Sequence, residues 1–110
     1  MELTKMSTNL LDSMHEARAI ADRLQGLAED WAKAERDYQV AKTKQIIELK
    51  EKGLPVTIIN EIVRGMQHIA DLKYQRDLSA EVLKANHKLL SVLGDSMSAS
   101  QSLLKYQSEI

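Results

Sequence analysis

Apolar residues recur at alternating intervals of three and four through the first half of the chain. Leu3, Met6, Leu10, Ala17, Ile20, Leu24, Leu27, Trp31, Ala34, Tyr38 and Ala41 keep this rhythm, with one gap at Ser13. A mean period of 3.5 is the a/d seam of a coiled coil or helical bundle. It predicts one helix over residues 3–52. Met14, Ala21 and Ala28 widen the stripe on one flank, and near Gln45 it slips by one residue to continue through Ile46 and Leu49. Such a slip marks a local adjustment of packing. Opposite charges four apart, as at Glu29–Lys33, Lys44–Glu48 and Glu48–Lys52, suit an exposed helix face.

The rhythm stops at Lys52-Gly53-Leu54-Pro55. A lysine-rich end followed by glycine suits a helix closed by a left-handed residue. Pro55 forbids continuation and pushes Leu54 out of the helical region. Residues 53–65 therefore read as a connector, in which Thr57 caps a short helix from Ile58 to Arg64 and Gly65 ends or kinks it. The next helix spans 66–93 and carries two adjacent stripes. One holds Ile69, Leu72, Leu83, Leu90 and Leu93; the other holds Leu78, Val82, Ala85, Leu89 and Val92. So broad an apolar face contacts more than one neighbour. Gly94-Asp95-Ser96 reads as a second break, followed by a further helix or frayed continuation over 95–108. The fold class expected is all-α: one domain built on a long antiparallel helical hairpin with a short connector helix, completed as an oligomeric bundle.

Composition supports this reading. Aromatic residues make up 4% of the 110, with four glycines and one proline, so chain breaks are few and helices long. A hairpin of this size buries little core alone, and self-association is the expected remedy. Net charge is −1, and neither half of the chain departs from balance: residues 53–110 hold six basic and six acidic side chains. Nucleic-acid binding by bulk electrostatics therefore gains no support. Absence of cysteine excludes disulfides and thiolate zinc sites. Without a signal-like apolar core near the start or a run of about 18 apolar residues, the expectation is a soluble protein of the cytoplasm with no membrane contact.

Candidate chemistry is sparse. His15, His68 and His87 are scattered. His68 and Asp71 stand three apart on a helix, but no HExxH accompanies them. Carboxylates mostly have a Lys or Arg within helical reach. The phosphate-loop and nucleophile motifs are missing. No catalytic residue, cofactor site or metal site is assigned, and the chain is expected not to be an enzyme. Trp31 reads as a core anchor or an interface hot spot. Arg76, Ser79 and Asn86 fall where apolar residues would continue a stripe. Either Arg76 sits at the stripe edge and pairs with Asp77 or Asp37, or the three form a polar layer that sets register or oligomer state.

The connector KGLPVTIINEIVRG is the most specific segment, with four apolar or β-branched residues in succession from Val56 to Ile59. It reads as a plug closing the end of a bundle, or as a docking tip. Under the second reading, Val56, Ile58, Ile59, Ile62 and Arg64 bind a partner, while Leu24, Leu27, Trp31 and Tyr38 form the oligomer interface.

With the following IADLKYQRDLSAEVLKA and the preceding AERDYQVAKTKQIIELKEKG, this segment resembles small helical early proteins of Gram-positive tailed phages, encoded near recombination and replication genes. The resemblance covers roughly residues 34–93 and rests on Tyr38, Gly53, Pro55, Val56, Thr57, Arg64, Gly65, Leu72, Arg76 and Asp77. That family has no assigned catalytic site to carry over. What it implies is a setting, the host cytoplasm early in infection. Three functions follow as expectations: an adaptor or inhibitor that oligomerises and binds a host or phage protein of DNA metabolism; a recombination accessory that binds single-stranded DNA through Lys42, Lys44, Lys50, Lys52 and Arg64; or a purely structural oligomer.

Overall fold

The computed structural model describes residues 3–109 and places nearly all of them in helices: α1 (Leu3–Glu51), α2 (Val56–Gly65) and α3 (Gln67–Glu109). No strand occurs among the described residues, so the all-α expectation holds.

Glycine and proline act at the end of α1 as their chemistry demands. Gly53 has φ of 82° and is the one residue in the left-handed region among those described. Its N–H donates to the Lys50 carbonyl at 2.9 Å, and the Leu54 N–H reaches back to the Leu49 carbonyl at 3.4 Å. This pair of bonds is the Schellman closure, and Leu54 packs against the core cluster to which Leu49 belongs. Pro55, extended at φ −64° and ψ 147°, is the N-cap of α2, and its carbonyl accepts from the Ile59 N–H at 3.0 Å.

The connector differs from expectation at both ends. Thr57 lies inside α2 and does not cap it; no side chain hydrogen-bonds the N-terminus. Gly65 remains helical, and Met66 makes the break. Its extended backbone donates N–H to the Val63 carbonyl at 3.2 Å, and its own carbonyl accepts from the Ala70 N–H at 2.9 Å. One residue thus ends α2 and starts α3.

The larger correction concerns Gly94. α3 runs unbroken through Gly94-Asp95-Ser96 to Glu109, so the predicted division into 66–93 and 95–108 does not occur. The reason is the seam. Leu83, Asn86, Leu90, Leu93, Met97, Ser100 and Leu104 alternate at three and four and are all half-buried. Covering these side chains outweighs the roughly 1 kcal/mol that a glycine costs inside a helix.

The chain divides into two compact units. One is Leu27–Val82. In it α1 and α3 run antiparallel, since Leu27 lines a cavity with Leu78 and Val82 while Tyr38 packs near Ile69 and Leu72. α2 closes this unit by inserting Ile59 and Val63 into a core with Tyr38, Leu49 and Ile69. Ala41, Ile46, Leu54, Met66 and Leu72 surround that core, which confirms the slip of the α1 stripe onto Ile46 and Leu49.

The other unit joins Met1–Gly26 to Leu83–Ile110. Its buried residues among those described are Met6, Ala17 and Ile20. Two helices alone build it.

Candidate functional site

The three helices of the Leu27–Val82 unit converge on a cavity of about 370 Å³ lined by Tyr38, Lys42, Asn60, Val63, Arg64, Ile69, Ala70 and Lys73. Helical periodicity explains the lining. Tyr38 and Lys42, Asn60 and Arg64, and Ile69 and Lys73 are pairs four apart, so each helix turns one successive pair toward the same space. Each helix supplies one cation: Lys42 from α1, Arg64 from α2 and Lys73 from α3. No carboxylate lines the cavity. Its floor is apolar, because Tyr38, Val63 and Ile69 belong to the core beneath.

Lys42 lies over the Tyr38 ring at 5.6 Å from its centre. Arg64 meets Glu61 at 3.4 Å, but both side chains are more than two-thirds exposed, so the pair is screened and weak. Approaching anions therefore meet three cations over an apolar floor, a setting that favours a carboxylate or phosphate carried on an apolar body.

A fourth cation belongs to the structural support. Arg76 is largely covered. Its guanidinium donates to the Asp77 carboxylate through Nε at 3.0 Å and Nη2 at 2.9 Å, and it reaches Glu35 at 3.4 Å. It also stacks on Tyr38, 4.5 Å from the ring centre. The hydrogen bond to Asp77 chiefly, against some loss of hydration, raises its pKa above the usual guanidinium value, so Arg76 stays charged. The expected partner Asp77 is found. Asp37 is not the second partner, because it pairs with Arg36 at 3.0 Å; Glu35 takes that place. Ser79 and Asn86 are half-buried.

The predicted partner-binding residues separate. Ile59 is fully buried at 0% exposure and forms the centre of the core, so it offers no docking surface. Arg64 lines the cavity with Asn60, four residues before it, whereas Val56 is exposed outside that lining. Ile58 and Ile62, also four apart, are exposed on the other flank. The residues expected at the oligomer interface also differ among themselves. Tyr38 is buried in the unit's own core, and Leu24 and Leu27 are half-buried along the α1 seam. Trp31 stays 38% exposed.

Of the cations read from the sequence, Lys42 and Arg64 line the cavity, whereas Lys44, Lys50 and Lys52 do not. The sequence pattern alone does not mark Lys73 and Asn60. The available signal was their position four residues from a core or connector residue already named. His15, His68 and His87 are exposed, and Asp71 accepts a 2.8 Å hydrogen bond from Gln67. No group of three His, Asp or Glu side chains among the described residues is placed to hold a metal. No described helix is long and apolar enough to cross a membrane.

Compared with protein-family models, with curated proteins and with solved structures, the chain finds no match.

Proposed function

We propose that this protein is a non-enzymatic helical adaptor or inhibitor of phage type, which self-associates and binds a host or phage protein of DNA metabolism in the host cytoplasm. The observation that carries the docking half is the cavity that receives one cation from each helix without a carboxylate among its lining. It suits an acidic segment with apolar residues, the charges seated near Lys42, Arg64 and Lys73 and the apolar side chains against the cavity floor. Binding would act by steric occlusion or competition. The phage setting rests on the resemblance of residues 34–93.

Single-stranded DNA is the second reading, since the same cations would accept phosphates. Tyr38 argues against it. Proteins that hold single strands stack bases on open aromatic rings, and this ring is buried beneath Lys42 and Arg76. A purely structural role leaves the convergence of cations unused.

The test is affinity capture from lysate of a Gram-positive host with wild type and the Lys42→Glu/Lys73→Glu variant. Both side chains are off the core, so the variant keeps its helical circular dichroism. The proposal expects a DNA-metabolism protein retained by wild type and lost with the variant. Equal recovery by both sinks the assignment of the cavity. A salt-sensitive shift of a labelled oligonucleotide, abolished by the same variant, moves the single-strand reading to first place.

A further inference from the structure

We infer that the cation cavity of the Leu27–Val82 unit is a site for a phosphate monoester dianion carried on a small apolar body. The inference rests on the docking half of the proposed function and names the anion that the cavity holds. All the lining residues fall between Tyr38 and Lys73, inside this one unit. Lys42 and Lys73 enter no ion pair among the described residues, and no carboxylate lines the space they share with Arg64. Arg64 commits one nitrogen, Nη1, to Glu61 at 3.4 Å. Its Nε and Nη2 stay outside that contact. A guanidinium presents its N–H groups as a rigid fork, so this second edge is open to a two-point grip on an oxyanion. Asn60 adds a neutral amide that donates without changing the charge.

Charge and oxygen count select the anion. A phosphate monoester carries roughly −1.5 to −2 charges at neutral pH and three strong acceptor oxygens. Three helices bring one cation each to the same space, so each oxygen can meet a different helix. A carboxylate brings a single charge and two oxygens in one plane, which leaves one cation unanswered. A diester brings a single charge and has chain leading away on both sides, whereas this cavity is closed below by Tyr38, Val63 and Ile69 of the core. The lining also sets the body of the ester. The Tyr38 ring is no free stacking face, because Arg76 lies 4.5 Å and Lys42 5.6 Å from its centre. The body therefore rests on the aliphatic side chains of Val63, Ile69 and Ala70. At about 370 Å³ the cavity is at the small end of the range for ligand pockets, about 300–1,000 Å³. That is room for a phosphate group and a body of one ring.

The probes are phenyl phosphate, phenyl sulfate, benzoate and inorganic phosphate, titrated into isotope-labelled protein at low salt and followed by amide chemical shifts. Phenyl phosphate should bind in the millimolar range, as contacts with largely exposed cations do, and should move the Asn60 side-chain amide and the backbone amides around Arg64 and Lys73. Phenyl sulfate has the same shape with one charge and should bind several-fold more weakly; benzoate and inorganic phosphate should also be weaker. Lys42→Gln/Lys73→Gln should lose the response with helical circular dichroism unchanged, and Arg64→Gln, at an exposed site, should weaken it several-fold. Equal affinity for phenyl phosphate, phenyl sulfate and benzoate overturns the dianion. A response that survives both variants, or that gathers at Lys44, Lys50 and Lys52, overturns the site. Inorganic phosphate binding as tightly as phenyl phosphate overturns the apolar body. A short peptide with one phosphoserine between apolar residues then separates the sources: tighter binding than phenyl phosphate assigns the ester to a side chain of the partner, and weaker binding assigns it to a free small molecule. A partner captured from lysate while no probe binds leaves the docking reading standing and sinks this one. Probes that bind while no partner is captured do the reverse.

Discussion

The two units of this chain use the same helices and reach different kinds of interior. Leu27–Val82 adds a third helix. α2 drops Ile59 and Val63 onto the α1 and α3 seams, and five residues become buried together. Among the described residues, the unit of Met1–Gly26 with Leu83–Ile110 has two helices, and its buried residues, Met6, Ala17 and Ile20, come from α1. The facing positions on α3 are half-buried throughout, and Asn86 and Ser100 are among them. Two helices in contact each cover a single stripe of the other, and a closed core needs a third wall. The lesson is that a long apolar seam specifies a pairing direction, while a short amphipathic insert converts that pairing into a core.

Paired substitutions put the comparison at risk most directly. Among the described residues, Ile59 and Ile20 are the two fully buried large side chains, one in each unit. Ile59→Ala should cost about 3–5 kcal/mol of unfolding free energy, since three helices hold the cavity open, whereas Ile20→Ala should cost about 2 kcal/mol, at the low end for such truncations, since two helices can close inward. Urea unfolding followed by circular dichroism measures both. Equal costs would show that the third helix adds no rigidity to its core.

A smaller effect is expected at the turn that delivers α2. Gly53 adopts φ of 82°, a conformation that L side chains rarely take, although open space surrounds the position of an added Cβ. Gly53→Ala should therefore destabilise by about 1–2 kcal/mol through backbone strain alone. Gly53→Asn should cost less, because asparagine tolerates the left-handed region. If alanine is neutral in urea unfolding, the Schellman closure is not what holds α2 over the core.

Much of this architecture was legible in the residues. The a/d rhythm of α1, its slip near Gln45 and the break at Gly53-Pro55 are local signals, and local physics honours them. Three features were not legible, each because a distant contact decides it. Ile59 and Ile58 are adjacent β-branched residues in one apolar run, and only the angle at which α2 lands turns one inward and leaves the other in water. Arg76 has several carboxylates within plausible reach, and Glu35 wins because the antiparallel register of α1 and α3 sets it opposite while Arg36 holds Asp37. The cation cavity gathers residues 31 positions apart, Lys42 and Lys73, which no single-helix pattern joins. At Gly94 the local signal itself was outvoted, because the seam on both sides of it continues.

That last point yields the mildest and most discriminating substitution. Glycine in a helix interior is about 0.5–1 kcal/mol worse than alanine, mainly because the unfolded chain loses more freedom on folding. At Gly94 the backbone is not left-handed, and a Cβ would meet nothing within 4 Å. Gly94→Ala should therefore stabilise the protein by about 0.5–1 kcal/mol in urea unfolding. Its benefit should concentrate in the two-helix unit, so amide hydrogen exchange should slow across 83–109 and remain as it was around the Ile59 core. A gain spread evenly over both units would mean that they open as one, and the contrast between a closed core and a bare seam would then describe packing without describing stability. A loss of stability would mean that the helix uses Gly94 to bring a second surface close.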